Sequence, residues 1–151
     1  KVGDAKVKAE MDALSKAPAR LVPEGYDNAR RIEVGVLRGM KFDKQEIEAK
    51  AGEQLAIAFT NNDPDGLMHN LAVIKPGTRQ NILEATIALG AKAIEKNFVP
   101  DSPALLGSTP QVAPGRRFTL YVTLPATPGD YEFVCTYPGH GQLMWGTLKV
   151  K

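Results

Sequence analysis

The sequence predicts an all-β fold, a Greek-key β-sandwich with one inserted helix and a short helix ahead of it. About seven short segments alternate apolar with polar or small residues, and clusters of Gly, Pro, Asn and Asp separate them. A single longer stretch near the middle carries helical spacing instead. The chain has 151 residues, 43% of them hydrophobic, which is a one-domain length with enough apolar material for a core.

Val7, Met11 and Leu14 recur at spacings of four and three between Gly3 and Ala17, predicting a weakly amphipathic helix before the Pro18 to Pro23 segment. Five basic and five acidic residues balance over 1–29. This region is expected to be a helical linker segment, either resting on the domain or tethering and docking it, with the folded domain running over 30–151.

Ile32, Val34 and Val36 alternate as a half-buried first strand, and Gly39 to Asp43 follows as a connection with Met40 as a core filler. Glu46 to Lys50 is a short strand. Leu55 to Thr60 alternates large and small residues, as a strand facing a core on one side does. Asn61 to Gly66 is dense in turn formers, and its two carboxylates, Asp63 and Asp65, are a thin basis for a cation loop. The turn leads into His69 at the head of an apolar strand that Pro76-Gly77 ends. Ile82, Leu83, Ile87, Leu89 and Ile94 give the Gln80 to Lys96 stretch an apolar helical face. Asn97 to Gly107, with Pro100 and Pro103, returns as an irregular loop whose Phe98, Val99, Leu105 and Leu106 either cap the helix or line an exposed patch. Arg117 to Leu124, Tyr131 to Val134 and Trp145 to Val150 complete the strands.

Composition excludes several classes. A net charge of +2 is too small for a nucleic-acid or polyanion surface, and the doublets Arg30-Arg31 and Arg116-Arg117 suit solvated strand edges. No window approaches the ~18 apolar residues of a membrane span. One cysteine leaves the compartment open. The chain starts at Lys1 without a signal peptide, as either a processed protein or a domain of a longer one would.

Chemistry concentrates in Cys135-Thr136-Tyr137-Pro138-Gly139-His140-Gly141-Gln142-Leu143-Met144, a C-x4-H-x3-M loop between the last two strands. A thiolate, an imidazole and a thioether are soft donors that suit copper, and a short-bonded Cys with a weak Met contact is the pattern of electron-transfer copper. Such a site needs a second imidazole. The chain has two His and one Cys, and the other histidine is His69.

This loop, followed by Gly146-Thr147-Leu148 and preceded far upstream by His69-Asn70, resembles the cupredoxins, the type 1 blue copper proteins, and among them azurin and auracyanin most. The resemblance spans roughly residues 30–151 and implies a cupredoxin-like sandwich. It implies one copper ion, Cu(II)/Cu(I), with His69, Cys135 and His140 as equatorial ligands and Met144 as the axial one. Asn70 then pins the ligand loop, and Asn70 and Thr136 tune the metal. His140 becomes the electron port, bordered by Met68, Leu143 and Pro138, with Trp145 either a relay or a packing residue. The azurins carry a Gly before the first His, and its carbonyl approaches copper. Met68 stands there, so its backbone carbonyl is an open candidate for that contact. The azurin disulfide cannot form with one cysteine.

The implied function is one-electron transfer without substrate chemistry and without catalytic residues. The implied partner is a redox protein such as a cytochrome or a dehydrogenase domain, and the implied setting is periplasmic or otherwise extracytoplasmic. The alternative is a copper domain of a larger oxidoreductase, relaying electrons from a catalytic partner. A Cys135–His nucleophile explains neither Met144 nor the strand-loop-strand frame, and a zinc-occupied site or metal carrier also uses Cys and His donors.

Overall fold

The computed structural model describes residues 22–151, so the helix expected between Gly3 and Ala17 lies outside the described residues. The strands are β1 (Arg30–Val34), β2 (Val36–Leu37), β3 (Lys41–Phe42), β4 (Glu46–Ala49), β5 (Gln54–Thr60), β6 (Ala72–Ile74), β7 (Leu105–Ser108), β8 (Arg117–Thr123), β9 (Gly129–Val134) and β10 (Trp145–Val150). One α-helix, α1 (Arg79–Ala88), follows β6. One sheet has the order β1-β5-β8 and the other β4-β10-β9-β6-β7, while β2 and β3 form a small ribbon.

The expected sandwich is present, and alternation builds it. Leu55, Ile57 and Phe59 of β5 are buried with Ile32, Val34, Leu120 and Val122 of the same sheet. They share one core with Ile47, Val73, Tyr131, Phe133, Leu148 and Val150 of the other. Phe42 lies between the two, its ring centroid 5.9 Å from Phe59 and 5.2 Å from Phe133. The first strand, whose pairing the pattern leaves open, runs parallel to β5 with Arg30 opposite Leu55. Arg30 also pairs with Glu53 at 2.7 Å on the sheet edge, as a solvated strand doublet does.

A smaller cluster covers the outer face of the five-stranded sheet. Ile82 and Leu83 of α1 pack there on Ala72, Ile74 and Val134. Strand β6 is therefore buried on both faces, which explains its unbroken apolar run.

Three departures from expectation have local causes. The helix stops at Ala88, followed by a short 3₁₀ turn from Gly90 to Lys92 in which Gly90 has φ +55°. Ile87, in the last turn of the helix, and Ile94, beyond it, are 69% and 80% exposed, so only the Ile82 and Leu83 part of the apolar face is used. The stretch around Leu105 is a strand, not a loop, paired to β6 across a register shift at Val73/Ile74 that interrupts regular alternation. Leu105 packs beneath the helix and Leu106 on the main core. The Gly39 to Asp43 connection includes β3, only two residues long and too short to show a period.

Replacing Phe42 by Ala should destabilise the metal-free protein by about 3–5 kcal/mol. Leu37→Ala, at a half-exposed site, should change stability by no more than about 0.5 kcal/mol. Urea denaturation of the two variants measures both.

Candidate metal centre

The two partners of β9 position the site. Strand β10 pairs with β9 so that Trp145 lies opposite Val134, which closes residues 135–144 into a loop at the end of a hairpin. Strand β6 pairs with β9 on its other side with Ala72 opposite Val134, bringing the residues just before Ala72 alongside Cys135. His69 is fixed from its own side by a two-way backbone bridge to Val112.

Three donor atoms meet there. Cys135 Sγ lies 3.8 Å from His69 Nδ1 and 3.8 Å from His140 Nδ1, and the two nitrogens are 3.2 Å apart. A triangle with sides 3.8, 3.8 and 3.2 Å has a circumradius of about 2.1 Å. That matches the length of a bond from a first-row metal to imidazole nitrogen or thiolate sulfur, about 2.0–2.3 Å. His69 and Cys135 are fully buried and His140 is 8% exposed. The soft, trigonal His2Cys set fits copper, and the residues are positioned to bind one copper ion.

A family model for copper binding proteins of the plastocyanin/azurin family matches residues 31–151. The chain belongs to this family. It is 33% identical over 123 residues to auracyanin-A of Chloroflexus aurantiacus, covering 79% of this chain and 73% of the relative. It is 32% identical over 116 residues to outer membrane protein H.8 of Neisseria gonorrhoeae, covering 72% of this chain but 61% of that protein. Among solved structures, a dithionite-reduced auracyanin from Roseiflexus castenholzii superposes with a TM-score of 0.71 at 29% identity, covering 82% of this chain and 98% of that one. The chain is a cupredoxin of the blue copper type, an electron carrier.

The loop is tied across its base. Cys135 N–H donates to the Met144 carbonyl at 3.0 Å, and Met144 N–H donates to the His140 carbonyl at 2.9 Å. Met144 is fully buried in the cluster that contains Cys135. Gly139 turns the loop at φ +84°, a conformation that L side chains avoid. Gly141 is required for closeness instead, since a Cβ there would sit 2.7 Å from the Cys135 carbonyl oxygen and 2.4 Å from Leu83. The inserted helix thus braces the ligand loop. Arg79 at its start donates to the Gly141 carbonyl at 3.4 Å and stacks over the half-buried Trp145 at 4.2 Å. Trp145 is a packing residue on the outer face of the sheet.

Asn70 stitches the two ligand segments together. Its Oδ1 accepts from Thr136 N–H at 2.8 Å, and its Nδ2 donates to Thr136 Oγ1 at 2.8 Å. Tyr137, absent from the expected set, packs its ring 4.6 Å from His140 and 4.9 Å from Phe98. Met68 is half-buried immediately before His69.

Asp63 is the larger surprise. Its Oδ2 lies 2.6 Å from His69 Nε2 with both side chains buried, so this turn residue belongs to the site. Burial works to raise its carboxyl pKa, but hydrogen bonds from His69 and from backbone N–H groups at 65 and 67 outweigh this and hold it below the usual range. The His140 pKa is lowered, first by burial and then by the neighbouring His69, which favours its neutral imidazole. Burial pushes the Cys135 thiol up to about 11, against the backbone N–H groups of Asn70 and Tyr137 that favour the thiolate. Without metal the sulfur is a protonated, inert thiol at neutral pH, which disfavours a Cys–His nucleophile.

Alkylation of the metal-free protein should therefore be slow at neutral pH and keep accelerating up to about pH 11. A plateau near the ordinary thiol value of about 8.5 would contradict this. A rate-versus-pH profile with a small alkylating agent makes the measurement.

Proposed function

We propose that residues 30–151 form a type 1 copper domain that carries single electrons between redox proteins, with residues 1–29 as a segment leading into it. The observation that supports this best is the buried triangle of Cys135 Sγ, His69 Nδ1 and His140 Nδ1, with no side longer than 3.8 Å. Bound copper supplies the Cu(II)/Cu(I) couple. The chain would supply a donor set that stays put: His69, Cys135 and His140 would hold the ion, with Met144 as a weaker fourth donor. Because three β-strands and Asn70 hold these groups, the site has little room to rearrange between oxidation states.

The backbone N–H groups of Asn70 and Tyr137 stabilise negative charge on the Cys135 sulfur, and Thr136 acts through Asn70. His140 is the one equatorial residue with exposed surface, which suits an electron port. Leu143, 58% exposed, and the exposed Pro138 stand beside it in the loop. A small apolar rim of that kind fits the brief encounters typical of electron transfer. The partner is a redox protein such as a cytochrome or a dehydrogenase domain. An extracytoplasmic location is supported by the relationship to an outer membrane protein. No helix among the described residues is long and apolar enough to cross a membrane.

Loading the protein with Cu(II) should give an intense blue absorption that ascorbate bleaches and reoxidation restores. Cys135→Ser should abolish it. A colourless copper-loaded protein, or an intense blue band surviving in the Ser variant, would overturn the proposal.

A further inference from the structure

We propose that Asp63 is a positioning residue of this site, an anionic carboxylate that fixes the His69 ring and biases the centre toward its more positive oxidation state. The inference rests on the copper reading above and deepens it.

The contact is built, not incidental. Asp63 Oδ2 faces His69 Nε2 at 2.6 Å, and Oδ1 accepts from Asp65 N–H at 2.8 Å. The backbone of Asp63 is fixed as well: its N–H donates to Asn61 Oδ1 at 3.1 Å, and its carbonyl accepts from Gly66 N–H at 3.2 Å. The fully buried Asn61 then donates through Nδ2 to the carbonyls of Leu67 at 2.8 Å and Val112 at 2.7 Å. Val112 is the bridge partner of His69 itself. Carboxylate, turn and imidazole thus form one closed frame.

Two consequences follow from elementary chemistry. A carboxylate whose oxygens already accept bonds is an acceptor, so the proton of the neutral imidazole sits on Nε2. The lone pair then sits on Nδ1, the atom facing Cys135 Sγ and His140 Nδ1. The second consequence is electrostatic. A full negative charge buried behind one ligand strengthens that imidazole as a donor and favours Cu(II) over Cu(I), lowering the reduction potential. A neutral acceptor in the same place would orient the ring without this bias. Among the described residues no acceptor is hydrogen-bonded to His140 Nε2, so the charge acts through one histidine of the pair.

Asp63→Asn keeps an acceptor oxygen toward Nε2 and removes the charge. Asp63→Ala removes both. Cyclic voltammetry of the copper proteins should give a higher potential for the Asn variant with its blue band retained. A Cu(II) affinity lowered about tenfold more than the Cu(I) affinity corresponds to a rise of about 59 mV. An Asn variant that stays blue at the wild-type potential would overturn the electrostatic role.

Redox-inert Zn(II) supplies a readout that does not depend on electron transfer. Its affinity, measured by competition with a chelator, should fall about 10–100-fold in Asp63→Ala. In the unsubstituted metal-free protein, ¹⁵N spectra should place the His69 proton on Nε2. If the wild-type protein bound copper without turning blue, the electron-carrier reading would fall while these two measurements still decided the role of Asp63. Unchanged Zn(II) affinity in the Ala variant, or a proton on Nδ1, would overturn it.

Discussion

The pairing of β9 with a neighbour on each side is the constraint on which the centre depends. Because Val134 is the common partner of Ala72 and Trp145, the strand that ends at Cys135 meets both the His69 segment and the far end of its own hairpin. A shift of one residue in either ladder would turn every side chain to the other face and scatter the donors. The rest of the molecule holds that register. The phenylalanine cluster packs the inner face, and α1 seals the outer face and leans on the loop through Leu83 and Arg79.

Such a frame suits an ion that must change charge without changing neighbours. The donors are buried, their tethers are hydrogen-bonded on both sides, and the polar groups among them are paired: Asn70 with Thr136, His69 with Asp63. Buried polar groups left unpaired would cost free energy and invite water, whereas a satisfied network rigidifies the site. The high pKa of the Cys135 thiol has a direct corollary, because metal binding must displace a proton that the apolar surroundings favour. Affinity therefore rises with pH until the thiol ionises unaided.

The parts legible in the sequence were those whose chemistry is scarce. With one cysteine and two histidines in the chain, the C-x4-H-x3-M loop and His69 stood out by residue type, as did the alternating strands β1, β5, β8, β9 and β10. Asp63 did not, since Asp is ordinary in a turn and its partner is set by how Asn61 closes that turn against Val112. The clue was that metal-binding histidines usually give their second nitrogen to an acceptor, which makes any nearby carboxylate worth weighing. Strand β7 is hidden by Pro100 and Pro103 just before it and by the register shift, and the helix looks longer than it is because Ile94, beyond Gly90, keeps a helical spacing while facing solvent.

The fold should set the donor geometry before metal arrives. Crystal structures of the metal-free and copper-loaded protein test it most directly. Both should show Cys135 Sγ, His69 Nδ1 and His140 Nδ1 in nearly the same triangle, with sides close to 3.8, 3.8 and 3.2 Å, and with Asp63 against His69 Nε2. Histidine rings swung away or disordered in the metal-free crystal, converging only around copper, would contradict it.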